Sequence, residues 1–307
     1  MSKSASSVID YFHRRRYNYI RKIKIPTENG DFMNKLYNTL NIGASAPFSL
    51  LHVTDIHIAA PDETDEQRII ELAEKRRNTY PFSMDVLRDI PIIAKEEHAL
   101  PVITGDMLDC FSHGSLQTAK RFTEKNDCLF VAGNHDFRIF GGMEYDVPSS
   151  RDKNLAAVGS IFRNDIRFFS EIINGVNIVG ADDAYYRFEE FQLEALKNEI
   201  AKGLPIILFL HAPLYTPDTF DLMITEKRKY ASLVDVPEEK MSIYPEKRYI
   251  QQLADEPTRR MYDYIISQPL IKAVVCGHIH KNFETVLPNG APQLVTGTQT
   301  ARILQIS

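Results

Sequence analysis

The sequence predicts an α/β protein, because short apolar runs alternate with helix-like stretches along most of its 307 residues. Most of the apolar runs end at a glycine or a polar residue, as buried strands do where the chain turns. After Cys276 the pattern changes, and three strand-like runs follow with no helix between them. This closing part predicts an antiparallel edge or a second sheet.

The elements follow in a regular order, without an internal repeat or a low-complexity tract. The predicted strands are 48–54, 100–105, 128–133, 175–180, 205–210 and 272–277, followed by FETVL, PQLVTG and ARILQIS. Helices are predicted between them, where charged and apolar residues mix at helical spacing. They span about 63–77, 82–98, 115–125, 152–163, 188–202 and 256–267.

Residues 1–45 are predicted to form a basic N-terminal extension to a main domain of residues 46–307. The stretch YFHRRRYNYIRKIKI places basic residues among aromatic and β-branched ones, and PTENGDF then breaks the pattern. One interpretation is a contact with a membrane surface or nucleic acid. The other, which we favour, is a solvated helix docked on the domain or an oligomer contact, since basic amphipathic helices are mostly structural.

Composition narrows the classes of function. The apolar fraction of 44% and the charged fraction of 25% are those of an ordinary globular protein. A net charge of -5 gives no broad basic field, so nucleic acid is not the expected partner. Three scattered cysteines indicate reduced thiols, and no apolar run approaches the roughly 18 residues of a membrane span. We therefore expect a cytoplasmic protein without a membrane span.

Side chains that bind metal ions follow five of the predicted strands. They are Asp55-Ile56-His57, Gly105-Asp106-Met107-Leu108-Asp109, Gly133-Asn134-His135-Asp136, His211 and Gly277-His278-Ile279-His280. Ligands bind at the carboxyl ends of strands in open α/β sheets. Residues two apart in an extended chain point to the same side, so Asp55 pairs with His57, and His278 with His280. Carboxylate, imidazole and amide groups suit zinc, manganese or iron better than calcium.

Each motif alone is weak evidence, and their conjunction carries the prediction. Five of the nine histidines fall at strand ends, and the other four are interpreted as structural or surface groups. In LFVAGNHDF (129–137), Gly133 permits a sharp turn that would be strained for a residue with a side chain. Asn134, His135 and Asp136 are therefore expected on one loop.

The five motifs, in this order, resemble the calcineurin-like metallophosphoesterases, and the resemblance runs from about residue 48 to residue 284. It implies a two-layered β-sandwich flanked by helices, a four-layer αββα arrangement within the α/β class. It also implies two divalent metal ions, manganese, iron or zinc, at the carboxyl ends of the central strands. The sequence does not distinguish among the three metals.

The resemblance implies a ligand set for each ion. The first ion would be held by Asp55, His57, Asp106 and His280, and the second by Asp106, Asn134, His211 and His278. Asp106 would bridge the two. A shared carboxylate also makes physical sense, because two cations about 3.5 to 4 Å apart need an anion between them.

The resemblance further implies that His135 donates a proton to the leaving oxygen and that Asp109 hydrogen-bonds this histidine and orients it. Asp136 is a competing candidate for the orienting role, and its alternative is a loop cap that accepts backbone amides. The expected activity is hydrolysis of a phosphate mono- or diester by metal-activated hydroxide, on a small phosphorylated substrate such as a nucleotide. The alternatives are a nuclease and a non-catalytic scaffold, although every ligand position is filled.

Three segments add to the minimal pattern. The helix predicted near 63–77 is interpreted as an outer helix without a chemical role. An insert at about 137–154 is expected to form a mobile wall of the substrate cleft. In a second insert, at about 213–249, Tyr215 and the basic residues 227–229 could reach the substrate, with a solvated lid or an oligomer contact as equal alternatives.

Asp182 and Asp183 are interpreted as a turn and helix cap, with support of the site as the alternative.

Overall fold

Two mixed β-sheets form the centre of the protein. The computed structural model describes residues 33–140, 147–225 and 230–307. The basic stretch within residues 1–32 and the candidates Lys227, Arg228 and Lys229 lie outside the described residues. Among the described helices, none combines the length and the apolar character that crossing a bilayer requires.

Each sheet contains a block of parallel strands. The first sheet has the order β1-β11-β2-β3-β4, with β1 (Asn34–Leu40), β2 (Phe48–Val53), β3 (Ala99–Thr104), β4 (Leu129–Val131) and β11 (Thr300–Ile306). The second has the order β5-β6-β7-β8-β10-β9, with β5 (Phe168–Ile173), β6 (Val176–Ala181), β7 (Ile206–Phe209), β8 (Ile271–Cys276), β9 (Phe283–Val286) and β10 (Pro292–Val295). Strands β2 to β4 run parallel to one another, as do β6 to β8 and β10.

The sheets pack face to face because successive strand residues point to opposite sides. Leu50 of β2 contributes to the core between the sheets, together with Ile207 of β7 and Val275 of β8. Its neighbour Leu51 points the other way and packs in a second core with Ile90. Both faces of the sheets are thus apolar and covered.

Helices cover both outer faces. They are α1 (Gln67–Thr79), α2 (Ser83–Glu96), α3 (His113–Thr123), α4 (Pro148–Gly159), α5 (Glu190–Ile200), α6 (Pro217–Thr225), α7 (Glu246–Gln252) and α8 (Glu256–Ser267). Helices α2, α3 and α4 contribute to the core on the first sheet, and α5, α6 and α8 to the core on the second. The predicted αββα sandwich within the α/β class is confirmed.

Strands β1 and β5 were not predicted from the sequence. Strand β1 lies inside the predicted extension 1–45, yet it pairs in parallel with β11 and so belongs to the first sheet. Its inward positions include the polar Asn38, which accepts a hydrogen bond from Arg302, so the apolar alternation is interrupted. The closing strands are divided between the sheets, since β9 and β10 join the second and β11 joins the first.

Arg302 is fully buried and connects the two sheets. Its guanidinium donates to Thr296 Oγ1 and to the Val295 carbonyl, both at 2.8 Å, and forms an ion pair with Glu284 at 3.0 Å. We expect Arg302→Met to lower the free energy of unfolding by about 3 kcal/mol, because it leaves buried polar partners unsatisfied. Urea unfolding measures this change. The exposed Arg121→Met serves as a control, and equal losses in both variants would contradict the prediction.

Candidate metal centre

Hydrogen bonds donated by backbone amides hold the loops after the central strands together. The Asp55 amide donates to the Gly105 carbonyl at 3.1 Å, which ties the loop after β2 to the loop after β3. The His278 amide donates to Asp55 Oδ2 at 2.8 Å, and the Gly277 amide to the His211 carbonyl at 2.9 Å. These bonds therefore hold predicted metal ligands that are far apart in sequence next to one another.

Five of the predicted ligands have a left-handed backbone. Asp55, His57, Asp106, His278 and His280 have φ angles between 51° and 68°. Such φ angles are uncommon for residues with a side chain and cost about 1 to 3 kcal/mol each in sparsely populated regions. Their concentration at one place indicates a functional site, because the rest of the fold must hold this strain.

Gly133 is required by a close approach of two loops. A Cβ atom at this position would lie 2.4 Å from Asp106 Oδ1 and 2.5 Å from the Asp106 amide nitrogen. Any side chain would push the loop after β4 away from the loop after β3. The absence of a Cβ lets the His135 amide donate to Asp106 Oδ1 at 2.8 Å.

Two clusters of potential ligand atoms share Asp106. In the first cluster, one ligand atom from each of Asp55, His57, Asp106 and His280 lies within 4.8 Å of all the others. Asp106, His211 and His278 form the second in the same way. Asn134 is buried and lines the same cleft as Asp106 and His278. All seven predicted ligands therefore lie in one region.

Acceptor atoms face one another in the second cluster. His211 Nδ1 lies 2.8 Å from the Thr104 carbonyl oxygen, which can only accept, so the ring proton is on Nδ1. In the neutral imidazole, Nε2 then presents a lone pair, which lies 3.1 Å from Nδ1 of His278 and 3.4 Å from Asp106 Oδ1. A lone pair opposite a carboxylate oxygen is repulsive, and a cation between them makes it favourable. The residues present therefore fit a metal ion.

The first cluster shows the same features. His57 Nδ1 contacts Asp109 Oδ1 at 3.1 Å, which leaves Nε2 directed at Asp55 and Asp106, 3.9 and 3.8 Å from their carboxylate oxygens. Asp55 Oδ1 is buried and has no hydrogen-bond partner within the described ranges, although His280 Nε2 lies 3.2 Å away. Histidines that hold metals almost always bond an oxygen through the other ring nitrogen, as His57 does here.

The pKa values of the buried groups agree with this interpretation. Burial, together with repulsion from Asp55 and Asp136, raises the pKa of Asp106 well above its ordinary value. Burial also lowers the pKa of His57 to about 4, so its ring is neutral at pH 7 and has a lone pair to offer. The protein alone thus disfavours the charge on Asp106, and a cation would reverse this.

His135 contacts Asp109 rather than Asp136. Its Nδ1 lies 3.0 Å from the Asp109 carbonyl oxygen and 3.4 Å from Asp109 Oδ1, and its Nε2 lies 3.9 Å from Asp106 Oδ2. Asp136 instead accepts the backbone amides of Asp106, Leu108 and Gly133, as a loop cap does. Ligand-type atoms of His57, Asp109 and His135 also lie within 4.8 Å of one another, which makes a third cluster.

Asp109 has a further partner that the sequence did not indicate. Arg76 of α1 donates from Nε and Nη2 to its two oxygens, each at 2.7 Å. Burial acts to raise the pKa of Asp109, but hydrogen bonds from His135, His57 and Arg76 outweigh it and hold that pKa well below its ordinary value. Asp109 is therefore ionised, and this arginine makes the third cluster a poor place for a cation.

Asp183 supports the loop that carries His211. Its carboxylate accepts the amides of His211 at 2.9 Å and Ala212 at 3.1 Å, whereas Asp182 pairs with Arg151. Tyr186, three residues beyond the predicted pair, places its hydroxyl 3.0 Å from His278 Nε2. These contacts match the predicted alternative in which this segment supports the site.

A cleft of about 360 Å³ opens onto both clusters. Its lining residues are Asp106, Asn134, His135, Arg138, Tyr186, Tyr230, Ser232, Arg248, His278 and His280. Three of them, Tyr230, Ser232 and Arg248, come from the predicted insert 213–249. The other candidate there, Tyr215, packs against the core of the second sheet and does not line the cleft. Much of this insert is embedded, since Leu233, Val234 and Met241 are buried.

Comparison with known proteins gave similar structures and one family. A dimetal phosphatase from Danio rerio matches with 16% identity over 82% of this chain and 88% of that chain, with a TM-score of 0.48. The protein TT1561 of Thermus thermophilus matches with 11% identity over 83% and 91%, with a TM-score of 0.43. A 5'-nucleotidase from Candida albicans matches with 13% identity over 84% of this chain and 46% of that chain, with a TM-score of 0.38.

No curated protein matches the sequence significantly. The TM-scores above are low, so the assignment rests on the family model described as calcineurin-like phosphoesterase, which matches residues 48–282. This stretch covers well over half of the 307 residues and contains all five motifs. The chain therefore belongs to the calcineurin-like phosphoesterases and is a hydrolase that acts on phosphoric ester bonds.

Proposed function

We propose that the protein is a phosphomonoesterase for a small phosphorylated molecule such as a nucleotide, and that it works with two divalent ions of manganese, iron or zinc. The observation that carries this proposal is the convergence of ligand atoms in two clusters that share Asp106. The proposed ligands are Asp55, His57, Asp106 and His280 for one ion, and Asp106, Asn134, His211 and His278 for the other. When bound, such a pair lowers the pKa of water and neutralises phosphoryl oxygens.

His135 is proposed as the general acid. Its side chain is 14% exposed in the cleft, and its Nδ1 contacts two oxygen atoms of Asp109. These contacts leave Nε2 directed toward the cleft, where it can give a proton to the leaving oxygen of the ester. The ionised Asp109 carboxylate would stabilise the protonated ring before this transfer, in opposition to the burial and the nearby Arg138 that hold the pKa of His135 well below its ordinary value.

The charge of the cleft supports a monoester over a diester. Arg138 lies three residues after His135, is buried, and lines the cleft with Arg248. Both are cations that the two clusters do not include. A phosphomonoester carries close to two negative charges at pH 7 and a diester carries one, so a cationic lining favours the monoester.

The proposal of a cytoplasmic location is supported by three free, buried cysteines.

A substrate panel tests the proposal. Purified protein is assayed with manganese, iron or zinc on an aryl phosphate, a bis-aryl phosphate, mononucleotides and a short oligonucleotide. We expect kcat/KM to be at least about tenfold higher for the monoesters, since one extra ionic contact is worth about 1.5 to 3 kcal/mol. Faster diester cleavage would refute the monoesterase assignment alone. No turnover with any metal would favour a scaffold, and cleavage of the oligonucleotide alone would favour a nuclease.

Arg248 is expected to bind the part of the substrate distant from the reacting phosphate. Its guanidinium lies 4.8 Å from the ring centroid of Tyr230, so an arginine and an aromatic surface face the cleft together. Arg248→Ala should raise KM for a mononucleotide by about tenfold, the loss of one charge-assisted contact. KM for a small aryl phosphate should not change. The exposed neighbour Lys247→Ala is the control, and an equal KM increase for both substrates would contradict this role.

A further inference from the structure

The last turn of α1 lies against the outer side of the proposed metal centre. Arg76 lies in this turn and donates two hydrogen bonds of 2.7 Å to the Asp109 carboxylate. The Asp109 side chain is 1% exposed and that of Arg76 is 24% exposed. The guanidinium is thus the link between a buried carboxylate and the protein surface.

Asp109 contacts two histidines with different proposed roles. Its Oδ1 lies 3.1 Å from Nδ1 of His57 and 3.4 Å from Nδ1 of His135. One carboxylate therefore orients a metal-facing ring and the proposed acid together. Rotation of this carboxylate would misalign both rings. The Arg76 guanidinium fixes the plane of the carboxylate, because it donates to both oxygens.

The same turn also covers the face of His57. Tyr80, which follows α1, stacks on the His57 ring with centroids 3.9 Å apart and planes 10° apart. The Arg76 guanidinium carbon lies 5.0 Å from the Tyr80 ring centroid, within range of a cation–π contact. Arg76 therefore contacts two neighbours of the His57 ring, namely Asp109 at its Nδ1 and Tyr80 on its face.

We infer that Arg76 is a positioning residue, which acts through Asp109 to align His57 and His135. The inference rests on the proposed function, because it assumes that these two histidines face the metal and the leaving group. Helix α1 thus has a role in the chemistry, contrary to its interpretation as an outer helix only. Lysine could not replace this arginine fully, since an ammonium group cannot hold both oxygens in one plane.

The first test is loss and chemical rescue of activity. We expect Arg76→Ala to lower kcat by about 10- to 100-fold, as losses of outer partners in metal sites do, and to change KM by less than about threefold. Millimolar guanidinium should restore much of the kcat, because Arg76 is partly exposed. Arg77→Ala is the matched control, since Arg77 is next on the same helix and donates to the Ala59 carbonyl at 2.9 Å.

The second test does not depend on turnover. In zinc-loaded protein with ¹⁵N-labelled histidine, the Nδ1 proton of His57 bonded to a carboxylate should give a downfield NMR signal. Arg76→Ala should shift or broaden this signal, and guanidinium should return it. Thermal unfolding shows whether the variant folds, and Arg76→Lys, which keeps the charge, provides a second variant if the alanine form does not.

A double-variant cycle tests whether Arg76 acts through Asp109. In the Asp109→Asn background, Arg76→Ala should cause no further loss of kcat, since residues in one chain of contacts are not additive. Independent losses, unchanged kcat in Arg76→Ala, or no rescue by guanidinium would overturn the inference. Inactive wild-type protein would instead overturn the proposed function, so the two failures are distinguishable.

Discussion

Asp106→Asn is expected to remove bound metal and activity together. Asp106 is the one residue common to both clusters of ligand atoms, and its two oxygens face different histidines. An amide offers a single neutral oxygen and cannot balance two cations. We expect kcat/KM to fall by roughly 10⁴-fold, since two-metal stabilisation is worth several kcal/mol and each 1.4 kcal/mol or so is tenfold.

The same substitution should stabilise the metal-free protein. Burial and repulsion from Asp55 and Asp136 raise the pKa of Asp106. A carboxyl group whose folded-state pKa is raised costs stability at pH values above the unfolded pKa, and the full cost is present above the folded pKa. At pH 8 the neutral amide removes this cost, so the metal-free variant should unfold at a higher temperature than metal-free wild type.

Elemental analysis and thermal unfolding check both parts of this prediction. Wild-type protein should gain stability when manganese or zinc is added, because ligands that bind only the folded state stabilise it. Asp106→Asn should lose this gain, whereas the control Asp85→Asn on α2 should keep it. Full metal content in Asp106→Asn would refute the bridging role.

The candidate site was predictable because its residues follow buried strands. Asp55 and His57 come directly after β2, and His278 and His280 directly after β8, so apolar runs marked the positions in the sequence. Parallel strands then bring their carboxyl ends to one edge of a sheet. Strand polarity therefore groups the residues after β2, β3 and β4 in the first sheet and those after β7 and β8 in the second. The resemblance to a known family joined these two groups into one predicted site, since a single sequence does not show how two sheets pack.

Arg76 could not be found in this way. It lies on a helix among other charged residues, in RIIELAEKRR, and its neighbour Arg77 has the same local sequence signal. Only the rotation of α1 on the fold directs Arg76 to Asp109 and Arg77 to the Ala59 carbonyl. Tertiary packing carries this information, and a single sequence shows no sign of it.

Strand β1 was missed for a related reason. Its inward Asn38 is satisfied by Arg302, and these residues are 264 positions apart. Local alternation of apolar and polar residues cannot identify a strand whose inward polar group is paired at such a distance. Buried polar networks are therefore the features of this fold that sequence periodicity represents least well.

His135→Ala is expected to keep both metal ions and lose turnover. His135 Nε2 lies 3.9 Å from the nearest oxygen of Asp106, and the ring belongs to neither of the clusters proposed to hold metal. Removal of a general acid typically costs about 10²- to 10⁴-fold, so we expect kcat to fall by roughly 10³-fold. The loss should be larger for an alkyl phosphate than for a nitrophenyl phosphate, whose leaving oxygen needs no proton.

The metal content of His135→Ala distinguishes proton donation by His135 from metal binding by His135. The third cluster, His57, Asp109 and His135, would make His135 a ligand, and its removal would then release metal. Arg76 argues against this alternative, because its guanidinium lies 2.7 Å from both Asp109 oxygens, where a cation would be repelled. Metal loss in His135→Ala, measured beside His98→Ala as a control away from the centre, would move His135 from proton donor to ligand. Retained metal with a uniform loss for both leaving groups would reject proton donation but leave the two clusters intact.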